Sequence, residues 1–409
     1  MEKKLDLKIN AWLKEHLIPR LADIFQVECS INKVECSIAQ PRGSFYLSDL
    51  FFADIRFPGK LCKVLVKLPP QDQKIRQVQN YNHLFGNEIL FYEQLADGVN
   101  RPECYISGDD PVFEKVLVLE NICSRGYFVS PKKVNVQLDY VMAGLRAIAN
   151  FHACTYAMKE KTPGKFHKIV KKIVNTRYNN PPLNESFVSN LHNRLRRVTR
   201  ALSRRNDCEV DFIHKISSIL EDCFTQVMLK TVQPVEPLAT IVHGDCTINN
   251  VMFRKSIEKG RGEMLEAMLI DFALMIYSSP AIDISTFIYL SCSREDIKKN
   301  TEKFIKIYHD CLRNDMENRG VWKPEKYSFK VFWEDYKKRA IFGYVMGAFF
   351  LAIMTEFEKD NSVLGADETV STEINLNGGG ETLTESLVDM LFDMYEAGFL
   401  DDFVNSYET

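Results

Sequence analysis

Apolar positions over the first 26 residues recur at helical intervals, and beyond them the period changes. From Cys29 to Ala39, Tyr46 to Phe57 and Leu61 to Leu68 they alternate or run together as strands do, which predicts a helix followed by a three-stranded meander. Lys74 to Asp97 returns to helical spacing, and Glu103–Ile106 and Val116–Leu119 read as two further short strands. The pattern predicts a small antiparallel sheet with one long helix packed on it, an α+β arrangement.

After Gly126 helical patterns dominate, over Gln137–Met158, Asp211–Leu229, Ile282–Leu290, Ser328–Glu358 and Thr384–Ala397. Short apolar runs at Ile241–Val242, Val251–Phe253 and Met268–Ile270 interrupt them as β segments. Two lobes are expected, 1–122 built on the sheet and 123–409 mainly helical. Between Lys159 and Arg205 the chain is basic and turn-rich around Pro181-Pro182, which predicts a solvated helix face. Ser371–Thr382, with three consecutive glycines, reads as a flexible loop.

At 409 residues and 45% hydrophobic composition the chain can bury a sizeable core, and 52 basic against 55 acidic residues leave no surplus for a nucleic-acid partner. Met1–Asp6 leads into charged sequence without the apolar core of a secretory signal, and the eleven cysteines contain no Cys-x-x-Cys pair. Reduced thiols and a cytoplasmic location are the expectation. The apolar run Ile341–Ile353 is shorter than a bilayer span and holds two glycines, so a buried helix is expected there and no membrane anchor.

Candidate chemistry lies in the turns between the short β segments. His243-Gly244-Asp245 follows one apolar run, Asn250 opens the next, and Leu269-Ile270 delivers Asp271-Phe272. Phosphoryl transfer needs a base that orients the attacking hydroxyl and oxygen ligands that hold a cation on the phosphates. Asp245 suits the first role, while Asn250 and Asp271 suit magnesium. Polar turns placed at random would not require these residue types in this order. No G-x-x-x-x-G-K-[S/T] occurs, which removes a Walker-type ATPase.

The set H-G-D-x-x-x-x-N followed by I-D-F resembles the kinase-like superfamily of aminoglycoside and choline kinases, and looks closest to its ecdysteroid-kinase-like (CHK-kinase-like) branch. That resemblance implies a two-lobed protein-kinase-like fold that uses ATP and Mg2+ to phosphorylate a small-molecule alcohol. Lys67, ending Val64-Leu65-Val66-Lys67, stands where the family has its phosphate-pairing lysine. Glu88 lies within the apolar helix face of Tyr81, Leu84, Phe85, Tyr92 and Leu95, where a carboxylate is costly unless paired, and both the pattern and this cost point to Lys67 as its partner. Gly43 and Ser48 occupy the place of the nucleotide-covering loop, and Glu120 and Ile122 that of the adenine-binding hinge, through main-chain groups. Asp283 matches a family aspartate that braces the catalytic loop through its backbone, and His152 a core histidine.

The chain departs from the family at Cys246-Thr247, where the family commonly has Leu-Trp, and at Ala273, where it commonly has Gln. Both changes bear on the acceptor. The aromatic residues Phe332, Trp333, Tyr336, Phe342, Tyr344, Phe349 and Phe350 follow, with Met346 among them, in the region that lines the acceptor site in this fold. An ecdysteroid or other apolar alcohol is the acceptor that the resemblance implies; simple helix packing accounts for the same aromatics. The alternatives are a choline- or ethanolamine-type kinase and a nucleotide-binding pseudokinase.

Overall fold

The structure, a computed structural model, describes residues 2–28, 33–39, 48–71, 73–78, 80–205, 209–258, 262–359 and 377–406. They divide into two compact units, one of residues 1–85 and 102–127, the other of residues 86–101 and 128–409.

The first unit begins with helices α1 (Glu2–Trp12) and α2 (Ile18–Phe25), joined through a π-helical turn at Leu13–Leu17. Five strands follow, β1 (Glu35–Ala39), β2 (Asp49–Phe57), β3 (Lys60–Leu68), β4 (Cys104–Asp110) and β5 (Glu114–Glu120), in the antiparallel order β1-β2-β3-β5-β4. Alternation sends Phe51, Ala53, Ile55, Val64, Val66, Val116 and Val118 to one face, where they form a core with Trp12, Leu17 and Leu21 of the helices. The Trp12 indole N–H donates to Asp110 at 2.9 Å, so its one polar atom is satisfied inside that core.

The helix expected over Lys74–Asp97 is broken. Asn80 takes a left-handed φ of 51°, separating α3 (Gln73–Val78) from α4 (Tyr81–Leu90), and the last part, Phe91–Leu95, is a π-helical turn. The division between the two units falls inside α4, between Phe85 and Gly86.

In the second unit β6 (Phe128–Val129), β8 (Val251–Glu258) and β9 (Gly262–Leu269) form an antiparallel sheet, and β7 (Thr240–Val242) pairs with β10 (Ile276–Ser278). The helices are α5 (Leu138–Lys161), α6 (Pro163–Val170), α7 (Glu185–Leu202), α8 (Val210–Glu221), α9 (Ala281–Ser291), α10 (Arg294–Asn318), α11 (Pro324–Tyr327), α12 (Phe329–Lys359), α13 (Gly380–Glu396) and α14 (Asp401–Ser406). Helix α9 is buried over its whole length against α12 and α5. Two glycines permit this approach: a Cβ on Gly343 would lie 2.4 Å from the Ser285 carbonyl, and one on Gly144 would lie 2.2 Å from the Phe287 ring.

Three expectations change here. Helix α10 was not anticipated; its heavy charge obscures the apolar stripe, although Ser293 caps it by accepting from the Asp296 N–H at 3.1 Å. The arginines of α7 and after it are only partly a solvated face, because Arg194 is buried, Arg197 donates to the Gly378 carbonyl at 2.8 Å and Arg205 pairs with Asp389 at 3.3 Å. Of the expected loop Ser371–Thr382, residues 371–376 lie outside the described residues and 380–382 already belong to α13. The apolar run Ile341–Ile353 lies in α12, within a helical stretch long and apolar enough to cross a membrane; 78% of its most apolar window is buried inside the protein, as expected of a core helix.

Candidate active site

Strand β7 ends at Val242, and the loop after it is organised by one carboxylate. Asp283, near the start of α9, accepts from the His243 N–H at 2.7 Å and the Gly244 N–H at 2.8 Å, so the brace expected of it is present. It also meets His152 Nε2 at 3.0 Å, and His152 Nδ1 lies 2.9 Å from the Tyr308 hydroxyl. Burial pushes the Asp283 carboxyl up, but the hydrogen bond from His152, the nearby His152 and His243 rings and the Gly244 N–H outweigh it and hold it below its ordinary value. A fully buried charge is tolerated because three N–H groups point at it.

His243 turns inward. Its Nδ1 accepts from the Asp245 N–H at 3.3 Å, which leaves Nε2 as the donor to the Ile270 carbonyl at 3.0 Å. Asn250 joins the same two segments through its main chain, since the Ile270 N–H donates to the Asn250 carbonyl at 3.0 Å. Gly244, at φ 77°, is pressed against the neighbouring turn so closely that a Cβ would lie 2.0 Å from the Leu274 carbonyl oxygen. The glycine of His-Gly-Asp is therefore a packing requirement as well as a conformational one.

Asp271 sits between these contacts. It opens the turn Phe272–Leu274 with a left-handed φ of 68°, and Phe272 stacks on Phe91 at 3.5 Å between centroids and lies 4.9 Å from the His243 ring. Asp245 and Asn250 are joined directly: Asn250 Nδ2 donates to the Asp245 carbonyl at 2.9 Å and to its Oδ2 at 3.0 Å. That fixes the amide orientation and leaves Asn250 Oδ1 as the acceptor. Among the described residues no group of three or more His, Cys, Asp or Glu is placed to hold a metal. One carboxylate and one amide oxygen, completed by phosphate and water, are nevertheless the donor set suited to magnesium.

Arg177 belongs to this site and was missed in the sequence. Its Nη1 donates to Asp245 Oδ1 at 3.2 Å, and its guanidinium lies 5.6 Å from the centre of the Phe187 ring. Burial disfavours its charge, but Asp245, and after it Tyr178, more than compensate and raise the guanidinium above its usual value. The segment that carries it is built from amide side chains. Asn175 Oδ1 accepts from the N–H groups of Arg177 at 3.2 Å and Tyr178 at 2.9 Å. Buried Asn87 brackets Val174 at 2.9 and 3.0 Å and donates to the Ala273 carbonyl at 3.0 Å. Asn87 offered one signal, a second polar side chain beside Glu88 in an apolar helix; Arg177 offered none.

Lys67, buried in β3 opposite Leu50 and Leu117, belongs to the first unit, and Glu88, buried in α4, to the second. Ser48 is half-buried and hydrogen-bonded to the Tyr81 hydroxyl, while Gly43 lies outside the described residues. Glu120 ends β5, where its N–H donates to the Glu103 carbonyl at 2.8 Å and its carboxylate pairs with Arg125 at 3.2 Å. Ile122 is buried at the start of the following turn. Cys246 is fully buried, and burial followed by the charge of Asp283 pushes its thiol well up, so it is a small packing residue and not a nucleophile.

Of the aromatic residues expected along the acceptor region, Phe342 faces the Arg177 segment, 5.6 Å from Tyr178, while Phe349 packs on α7, 5.2 Å from Phe187. Trp333 and Tyr336 instead pack on Phe399, and the Tyr344 hydroxyl donates to the Leu387 carbonyl at 3.1 Å, so these three serve helix packing.

The model of the Ecdysteroid kinase-like family matches residues 42–320, which contain the whole loop system just described. The chain belongs to that family. Membership places it among the small-molecule kinases, with the acceptor unassigned. No curated protein matches in sequence. Among solved structures, a Plasmodium vivax ethanolamine kinase is similar at 14% identity and a TM-score of 0.43, covering 100% of this chain and 91% of its own. The GDP and kanamycin complex of APH(2")-IIia is similar at 11% identity and a TM-score of 0.37, covering 93% and 99%. No residue's role is carried over from either.

Proposed function

We propose that this member of the family transfers the γ-phosphoryl group of ATP to a hydroxyl of a small apolar alcohol, of which an ecdysteroid or related sterol is the candidate. The observation that carries the reading is the hydrogen-bonded pair Asp245–Asn250, docked through His243 and Gly244 against the turn that Asp271 opens.

In this reading Asp245 orients the acceptor hydroxyl and takes its proton as the new P–O bond forms and the bond to ADP breaks. Asn250 Oδ1 and Asp271 would hold magnesium, which neutralises phosphate charge when bound. Lys67 is assigned to the nucleotide phosphates, Glu88 to the support of that lysine and the main chain of Glu120 and Ile122 to the adenine, with Gly43 and Ser48 on the covering loop. The family pattern supports these assignments. Phe342 supports an apolar acceptor, since it packs on Tyr178 in the segment that touches Asp245.

Purified protein with ATP and magnesium should add one phosphate to a member of a panel of ecdysteroids, choline, ethanolamine and xenobiotic glycosides, read by mass spectrometry. Asp245→Asn should lower turnover on the order of 100-fold or more while ATP still raises the melting temperature. Absence of product across the panel, with that thermal shift retained, would replace the kinase reading by nucleotide binding without turnover.

A further inference from the structure

The loop that carries Asp245 has no cation of its own. Asp245-Cys246-Thr247 presents Thr247 where protein kinases place a catalytic-loop lysine, and Cys246 is sealed in the core. A cation reaches the carboxylate from elsewhere: Arg177, 68 residues upstream, donates to Asp245 Oδ1 at 3.2 Å. The Arg177 and Asp245 side chains are only 18% and 21% exposed, so solvent screens the pair less than it would a surface ion pair.

We propose that Arg177 is a positioning residue for phosphoryl transfer: it orients the Asp245 carboxylate and supplies beside it the permanent positive charge that the catalytic loop lacks. This rests on the assignment of Asp245 as the base. The two Asp245 oxygens have different holders, Asn250 on Oδ2 and Arg177 on Oδ1, which together fix the carboxylate plane. A carboxylate accepts at about four lone-pair sites, so both bonds leave room for a substrate hydroxyl.

The surrounding structure favours a positioning role over an incidental ion pair. Asn175 sets the backbone of Arg177 and Tyr178, and Asn87 ties the same segment to Ala273, two residues beyond Asp271. The segment is thereby registered to the turn that follows the candidate magnesium ligand. Phe187 covers the guanidinium on one side, which limits its alternatives. Arginine suits this place because its charge persists at every working pH and its planar fork holds direction.

The test is a double-mutant cycle on the full chain, read as ATP hydrolysis with magnesium, which needs no acceptor, and as product formation on whichever acceptor the wild-type protein uses. Arg177→Ala should lower kcat on the order of 100-fold with little change in acceptor KM and an unchanged thermal shift by ATP. Arg177→Lys should retain part of the rate, and added guanidinium should restore part of it to Arg177→Ala. In the Asp245→Asn background, Arg177→Ala should cost almost nothing further, because the residue acts through Asp245. A full additional loss in that background, a fall confined to KM, or wild-type kcat in Arg177→Ala would overturn the inference. If Arg177→Ala fails to fold, Arg177→Lys and Arg177→Gln carry the test, and equal rates in these two would remove the role of charge. A wild-type protein that neither hydrolyses ATP nor phosphorylates any acceptor would instead remove the kinase reading and this inference with it.

Discussion

Gly244 shows how much of the chemistry depends on a residue with no side chain. It holds a left-handed φ of 77° and lets the Leu274 carbonyl approach to where a Cβ would be 2.0 Å away. The conformation alone would cost another residue about 1–2 kcal/mol, and the overlap with backbone adds to that. Gly244→Ala should therefore lower the melting temperature and, by prying the Asp245 loop from the Asp271 turn, reduce turnover more than nucleotide binding. A variant with wild-type melting temperature and rate would show that the two loops need not touch. This requirement was not legible in the sequence: the motif was recognisable, but nothing in it says which carbonyl the glycine faces. Asp283 was legible as a brace, because the family pattern marks it and its partners are backbone groups of the motif itself.

Helix α5 meets the short α11 at a half-buried carboxylate, beside the ring contact of Tyr156 with Tyr327. Glu160 accepts from Tyr327 at 2.7 Å, from Lys326 at 3.1 Å and from Lys323. Burial pushes its carboxyl up, but these hydrogen bonds prevail and bring it to about 2 from an ordinary 4.5. The native value lies below the unfolded one, so on acidification the unfolded chain takes the proton first. The stabilisation is complete above the ordinary value and is lost as pH falls towards about 2. Glu160→Gln should lower the melting temperature near neutral pH, and the gap to wild type should close in acid. A gap independent of pH would mean that shape, and not charge, joins the helices. Periodicity located α5 and α12 well, since their apolar positions repeat, but it missed α10, whose many charges mask its stripe, and the break at Asn80, which a helical pattern on both sides conceals.

Lys67, Ser48, Glu120 and Ile122 lie in the first compact unit, and Glu88, Asp245, Asn250 and Asp271 in the second. Glu88 is buried in the portion of α4 assigned to the second unit, next to Asn87, which is itself tied to Ala273. If its role is in nucleotide use, as the family pattern supports, Glu88→Gln should keep the fold while weakening ATP turnover on the order of 10-fold or more, the size of a lost charge-assisted hydrogen bond. Turnover and apparent ATP affinity measured beside the melting temperature check this; unchanged kinetics would assign Glu88 to packing.

Sequence by itself determined the family and singled out the motif residues that the fold brings together. His243-Gly244-Asp245, Asn250 and Asp271-Phe272 lie on turns between short strands of one β region, where chain spacing translates directly into spatial order. Strand alternation likewise determined the α+β class, because burial on one face imposes a period that a single sequence displays. Tertiary structure alone decided what surrounds Asp245. Arg177 reaches it across 68 residues, and Asn87 reaches Val174 across 87 and Ala273 across 186. Such hydrogen bonds leave no period and no local spacing in the chain, since each partner is an ordinary polar residue until folding removes the water around it.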